Sequence, residues 1–305
     1  MDPMAIAADV LVAAVGIATP LALAATGETL TERSGVVNLG VEGAMLFGAL
    51  GGAIGATLAG PAAGLGLGVL AGVFVAALFA AVAIGAGANQ IITGTAVTLV
   101  SVGMTGTIYR QFYGPSGVGL SLPTLPALAI PGLSAVPIAG PAFFLQPITT
   151  YLAIGLIPLT WFVLFRTRFG LALRAVGEDP AAARAAGVSV RWTRLVAVLI
   201  GGACAGLAGA TLVLAQVGTF AERMTAGRGF IAIAIVVLGR WNPVGAGLAA
   251  LLFGLATALQ FALQAAGLDV PYQFFLMFPY LLTLIALAGA VGRVKAPAAL
   301  GRSES

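Results

Sequence analysis

At 305 residues, with 60% hydrophobic and only 8% charged side chains, the chain is too apolar for a soluble domain, and its mean hydropathy of +1.08 is typical of an integral membrane protein. Its net charge of +4 comes with no histidine and a single lysine, Lys295, which excludes a histidine-based metal site or general base. Since no G-x-x-x-x-G-K-[ST] phosphate loop is present, no cofactor is expected on this chain, and any ATP would be bound by a separate subunit.

The apolar segments, taken in chain order, predict an all-α, polytopic membrane helix bundle. The 43 glycines and the abundant alanines favour closely packed helices, and the alternating pattern of a transmembrane barrel is absent. We expect about nine (8–10) transmembrane helices in one domain, 1–305. Their approximate ranges are 10–25, 36–59, 62–84, 89–109, 147–165, 195–216, 228–240, 244–265 and 273–291.

A short polar turn containing Glu28 and the pair Glu32–Arg33 is predicted after the first segment. This stretch, TLTERSGVVNLG, is echoed by TFAERMTAGRGFIA later in the chain, where Glu222–Arg223 takes the same place. Four spans precede the central span and four follow it. The echo therefore predicts two halves, 1–110 and 195–292, related as an inverted repeat of the kind found in transporters.

The second segment carries Asn38 and Glu42 into the membrane. An ionisable side chain inside an apolar helix is costly, and it is a functional hypothesis by default. The spacing of four residues predicts that both side chains lie on one helical face. The alternative is that Glu42 snorkels, or is satisfied by Arg33 or Arg110, and only stabilises the protein.

Three later residues, at two helix starts, are further candidates for a substrate pathway. Asn89 and Gln90 begin the fourth segment, NQIITG, where Gln90 also suits a helix cap. Phe230 ends the sequence GRGF, which begins a short helix whose amide groups can face a polar ligand. The alternative there is a tight turn with a snorkelling Arg228.

The segment 111–146 contains six prolines and no charged residue. Such a stretch cannot form a continuous helix, and its lack of charge suits the external face. It is predicted to be an external Pro/Gly-rich loop, either a structured cap that receives a partner or a passive connector.

The loop 166–194 holds six of the fourteen basic residues and has a net charge of +4. Short basic loops remain on the cytoplasmic side. Within it, Asp179 is a good N-cap, Pro180 suits the first helical position and Gly187 supplies a stop. A helix of about two turns is therefore predicted, either a docking element or part of a solvated loop.

With this loop inside, the predicted spans place the N-terminus outside and the basic C-terminal tail in the cytoplasm. Trp192 and Trp241 each follow an arginine, which predicts that they are interfacial anchors.

Three stretches, ALRAVGEDPAAARAAGVSV, GGACAGLAGA and TERSGVVNLGVEG, resemble the permease subunits of bacterial ABC importers for branched-chain amino acids, simple sugars and nucleosides. The last stretch is most similar to the nucleoside-type members. NQIITG is near the family pattern Asn-Glu-Ile-Ile, with Gln90 in place of the acid. These matches cover Asn38, Glu42, Asn89 and Gln90, and together with Phe230 these residues form the predicted substrate pathway.

The same resemblance implies that the basic loop couples the permease to an ATPase. The coupling residues would be Arg174, Glu178, Asp179, Pro180, Ala182, Ala183, Arg184 and Gly187. Implied partners are two ATP-binding cassette ATPases, a second identical or paralogous permease, an extracytoplasmic solute-binding protein and membrane lipid, with no nucleic acid. The implied location is the bacterial inner membrane.

Two other classes of protein are alternatives. A secondary transporter would use Glu42 for proton coupling. A membrane enzyme is disfavoured, because the sequence gathers no histidine, cysteine pair or carboxylate cluster. The sequence therefore favours an importer permease for a nucleoside or a sugar-like solute.

Overall fold

The computed structural model describes residues 3–114, 121–134, 136–265, 273–274, 277, 281, 285 and 295–302. The described chain is mainly helical. The helices are α1 Pro3–Arg33, α2 Val41–Ala59, α3 Pro61–Ala80, α4 Gln90–Tyr113, α5 Ala139–Phe144, α6 Ile148–Arg166, α7 Arg168–Glu178, α8 Pro180–Ala185, α9 Val190–Thr211, α10 Arg228–Leu238 and α11 Pro243–Ala265. π-helical turns, Ala81–Gly85 and Leu212–Val217, continue α3 and α9.

Seven of the described helices are long and apolar enough to cross a membrane: α1, α2, α3, α4, α6, α9 and α11. This confirms the predicted polytopic helix bundle. The predicted span 228–240 is shorter than a membrane-crossing helix, because α10 has only 11 residues. Its length of about 16 Å is half of a bilayer core. The predicted span 273–291 lies mostly outside the described residues.

The predicted polar turn after the first span is wrong. Helix α1 continues to Arg33, and the side chains of Glu28 and Glu32 are buried within its last turns. One oxygen of each carboxyl group has a donor elsewhere in the chain. Glu28 Oε1 accepts from the Asn38 amide at 3.4 Å, and Glu32 Oε2 accepts from the Trp241 indole at 2.5 Å.

The second span begins later than predicted. Residues 34–40 are not helical, and α2 starts only at Val41. Asn38 therefore does not share a helical face with Glu42, so that expectation is wrong. Its side-chain oxygen instead accepts from the Gly40 amide at 3.0 Å, a local turn contact that competes with helix formation.

The interior of the bundle is built on backbone contact between α2, α3 and α9. A Cβ at Gly72 would lie 2.3 Å from the Gly202 carbonyl oxygen, and one at Gly209 would lie 1.9 Å from the Met45 carbonyl oxygen. Only glycine fits at these positions. The high glycine content thus reflects close helix packing, as the composition predicts.

The Pro/Gly-rich segment is not a continuous helix in its described part, as predicted. Helix α4 extends into it as far as Tyr113. A short ribbon follows, in which β1, Ala127–Ala129, pairs antiparallel with β2, Leu145–Pro147. Helix α5 lies between the two strands in sequence and packs against α1.

Candidate functional site

The non-helical residues before α2 lie along the first half of α4. The Val37 amide donates to Gln90 Oε1 at 2.8 Å, at the start of α4. Two turns further, Thr98 Oγ1 donates to the Leu39 carbonyl at 3.0 Å. Eight residues of helix correspond to about 12 Å. Residues 37–40 thus enter the bundle as non-helical chain that ends in a turn, and α2 begins only part of the way through the bundle.

A second non-helical stretch, 218–227, follows the other half of α4. The Phe220 ring lies 4.9 Å from the Tyr109 ring, and Glu222 Oε1 lies 3.6 Å from Arg110 Nη1. This stretch connects the π-helical end of α9 to the half-length helix α10. Residues 37–40 run parallel to α4, because Val37 contacts Gln90 and Leu39 contacts Thr98.

The two broken segments, residues 34–40 with α2 and residues 218–227 with α10, meet at Glu42. Its Oε1 accepts from the Thr225 hydroxyl at 2.6 Å and from the Gly227 amide at 2.9 Å. Its Oε2 accepts from the Gly229 amide at 2.6 Å. The carboxylate therefore caps the N-terminus of α10, where unpaired amides and the helix dipole favour negative charge.

This geometry bears on the alternative in which an arginine satisfies Glu42. Arg33 is turned to the Trp241 carbonyl, with Nε at 2.8 Å, and Arg110 is paired with Glu222. Neither arginine satisfies Glu42. The side chain is 7% exposed, and three donors from 183 to 187 residues away hold it.

The other predicted pathway residues differ in exposure. Asn38 is buried. The exposed Asn89 caps α4 by accepting from the amides of residues 91 and 92, and the buried Gln90 holds Val37. Phe230, in the first turn of α10, is 46% exposed. It forms an open face with Ala234, one helical turn away, which the sequence did not single out.

A buried polar contact ties α1 to the end of α10. Trp241 is 5% exposed, so its prediction as an interfacial anchor is wrong, whereas Trp192 is 65% exposed. Trp241 has φ of 51°, in the left-handed region that disfavours a large side chain. Its contacts with Glu32 and Arg33 hold it there.

The predicted short helix in the basic loop is confirmed as α8. Asp179 Oδ1 accepts from the amides of Ala181 and Ala182 at 3.0 Å, and Gly187 has φ of 83°. Ala183 is only 4% exposed, because its methyl group packs with Val176 and Val190. The side of α8 that is open to a partner consists of Ala181, Ala182, Arg184 and Ala185.

The loop is also more ordered than the sequence suggested, because α7 precedes α8. Two residues predicted for coupling contact their own chain there. The Arg174 guanidinium lies 5.2 Å from the centre of the Phe165 ring, and Glu178 Oε2 accepts from the Ala298 amide at 3.4 Å. Of the residues that the resemblance implies for coupling, Arg174 is therefore half-buried and Ala183 is buried, whereas Glu178 remains exposed.

Comparison with known proteins places this arrangement in a family. Residues 10–287 match the family model described as "Branched-chain amino acid transport system / permease component". The chain is 38% identical to the guanosine ABC transporter permease protein NupQ of Bacillus subtilis, over 99% of this chain and 98% of NupQ. It is 40% identical to the putative glucose ABC transporter permease protein TsgC13 of Haloferax volcanii, over 96% and 94%. It is 36% identical to the nucleoside ABC transporter permease protein NupC of Lactococcus lactis, over 93% and 92%. The chain belongs to the family of branched-chain amino acid transport system permease components.

Proposed function

We propose that this chain is the transmembrane permease subunit of an ATP-driven ABC importer and that its solute is a nucleoside. The observation that carries the proposal is the similarity to nucleoside permeases along the whole chain. The two broken segments that meet at Glu42 support it. Discontinuous helices form the substrate site in many transporters.

The proposed pathway passes the open face of α10. Non-helical backbone at membrane depth is tolerated where it is buried in protein or lines a water-filled cavity. Phe230 is exposed next to such a break and offers a ring face on which a base or a sugar can stack. The half-exposed Arg110–Glu222 pair lies near the C-terminal end of α4, where it provides polar contacts for the pathway.

In this proposal Glu42 and Asn38 act on the pathway indirectly. Both are buried, and the Glu42 carboxylate already accepts three hydrogen bonds. Their role is to fix the two breaks beside the solute. Gln90 acts in the same way, by holding the non-helical residues before α2 against α4.

The partners follow from the same proposal. ATP would be hydrolysed by two ATPase subunits that dock on the exposed side of α8, and an extracytoplasmic binding protein would deliver the solute. A second permease, identical or paralogous, would complete the pathway. The N-terminus would lie outside and the tail in the cytoplasm, in the inner membrane of a bacterium.

The test is uptake by proteoliposomes that contain the permease with its ATPases and binding protein. We expect ATP-dependent uptake of radiolabelled guanosine that excess unlabelled nucleoside abolishes. Because TsgC13 is named for glucose, labelled glucose is the second substrate, and preferential glucose uptake would change the solute assigned. Uptake that persists without ATP but stops with an uncoupler would instead indicate a proton-coupled transporter.

A further inference from the structure

The C-terminal segment 295–302 is bonded to two separate parts of the fold. The Ala299 amide donates to the Gly177 carbonyl at 2.9 Å, in the last turn of α7. The Gly301 amide donates to the Gly35 carbonyl at 3.0 Å, at the start of the non-helical stretch before α2. This segment therefore connects the basic loop to the first broken segment.

A side chain of α4 strengthens the second attachment. Gln90 donates through Nε2 to the Arg302 carbonyl at 3.3 Å, while its Oε1 accepts from the Val37 amide at 2.8 Å. One amide group thus holds both the tail and the non-helical stretch. A glutamate at this position would lack the donor that Arg302 requires.

The end of α7 and residues 33–35, to which the segment is bonded, also contact each other. A Cβ at Gly177 would lie 2.1 Å from the Arg33 carbonyl oxygen, so α7 and the end of α1 are in backbone contact. Two residues after Gly177, Asp179 caps α8. Helix α8 is therefore linked through α7 to both the tail and residues 33–35.

We propose that residues 295–302 form a strap that transmits movement of α8 to the non-helical stretch 34–40, with Ala299 and Gln90 as its positioning residues. The route continues from this stretch to Glu42, which holds α10 and the open face of Phe230. The strap rests on the proposed function, because it links the surface assigned to the ATPase with the stretch that precedes the pathway.

The test compares two neighbouring alanines of the strap. Ala299 is 2% exposed, so an arginine there cannot be accommodated without displacing the segment, whereas Ala298 is exposed. We expect Ala299→Arg to keep the assembled complex and its basal ATP hydrolysis. The number of solute molecules taken up per ATP hydrolysed should fall about tenfold. Ala298→Arg should remain within about twofold of the wild type.

A chain that ends at residue 294 provides the second variant. It should show the same loss of coupling as Ala299→Arg. Wild-type coupling in the shortened chain would overturn the proposal, and so would loss of complex assembly in both variants, because the segment would then serve folding alone. If the wild-type complex itself shows no ATP-dependent uptake, the proposed function fails rather than the strap.

Discussion

The carboxylate of Glu42, on α2, accepts a hydrogen bond of 2.6 Å from the amide of Gly229, at the start of α10. The two residues are 187 positions apart and belong to two segments in each of which a helix follows non-helical chain. A Cβ at Gly229 would lie 2.5 Å from the Glu42 Cα, so the backbones also touch. This contact fixes where both helices begin inside the bundle.

Replacing Glu42 by glutamine should therefore weaken the junction. A glutamine side chain has one acceptor oxygen, so a buried amide of Gly227 or Gly229 loses its partner, at a cost of about 1–3 kcal/mol. We expect a lower midpoint of thermal unfolding in detergent and slower uptake, with basal ATP hydrolysis retained. Glu222→Gln is the control, because that carboxylate is half-exposed and should contribute little to stability. Equal stability of both variants would contradict the assigned role of Glu42.

The two faces of α8 should respond differently to the same substitution. Ala182→Arg places a long cation on the exposed side, where it should block ATPase docking while the permease remains folded. Ala183→Arg forces a charge among Val176 and Val190 and should lower stability by several kcal/mol. Co-purification of the ATPase and thermal unfolding of the permease alone separate the two effects. ATPase binding by the folded Ala182→Arg variant would show that α8 is not the docking surface.

Trp241→Phe should be more destabilising than Trp192→Phe. The buried Trp241 indole donates to Glu32, and its loss leaves a buried carboxylate without that donor, which costs about 1–3 kcal/mol. Trp192 is exposed, so phenylalanine should be tolerated there. The measurement is the thermal unfolding midpoint of each variant. Similar small shifts would mean that the contact between Trp241 and Glu32 does not hold the end of α10.

Single cysteines at Ser121 and Ser189, in a background where Cys204 is replaced by serine, should label from opposite sides of the membrane. Both positions are exposed. Ser189 lies in the basic loop and should react only after an impermeant maleimide gains access to the cytoplasm. Ser121 lies in the uncharged segment and should react in intact cells. Labelling of both from one side would contradict the proposed orientation.

The sequence by itself determined the features that depend on composition and on neighbouring residues. Hydropathy predicts the membrane helices, and the glycine content predicts their close packing. The capped helix α8 follows from Asp179 and Gly187, which act on amides and backbone angles within a few residues. The family could also be predicted from the sequence, because each stretch that resembles it is contiguous in the chain.

Only the tertiary structure decided where the buried polar side chains lie and which donors they bond. Glu28 and Glu32 resemble turn residues in sequence, yet they lie inside α1 because the fold brings the Asn38 amide and the Trp241 indole to them. Glu42 likewise depends on donors almost two hundred residues away. A carboxylate inside an apolar bundle is stable only where donors converge on it, and that convergence is a property of the packed helices rather than of any local pattern.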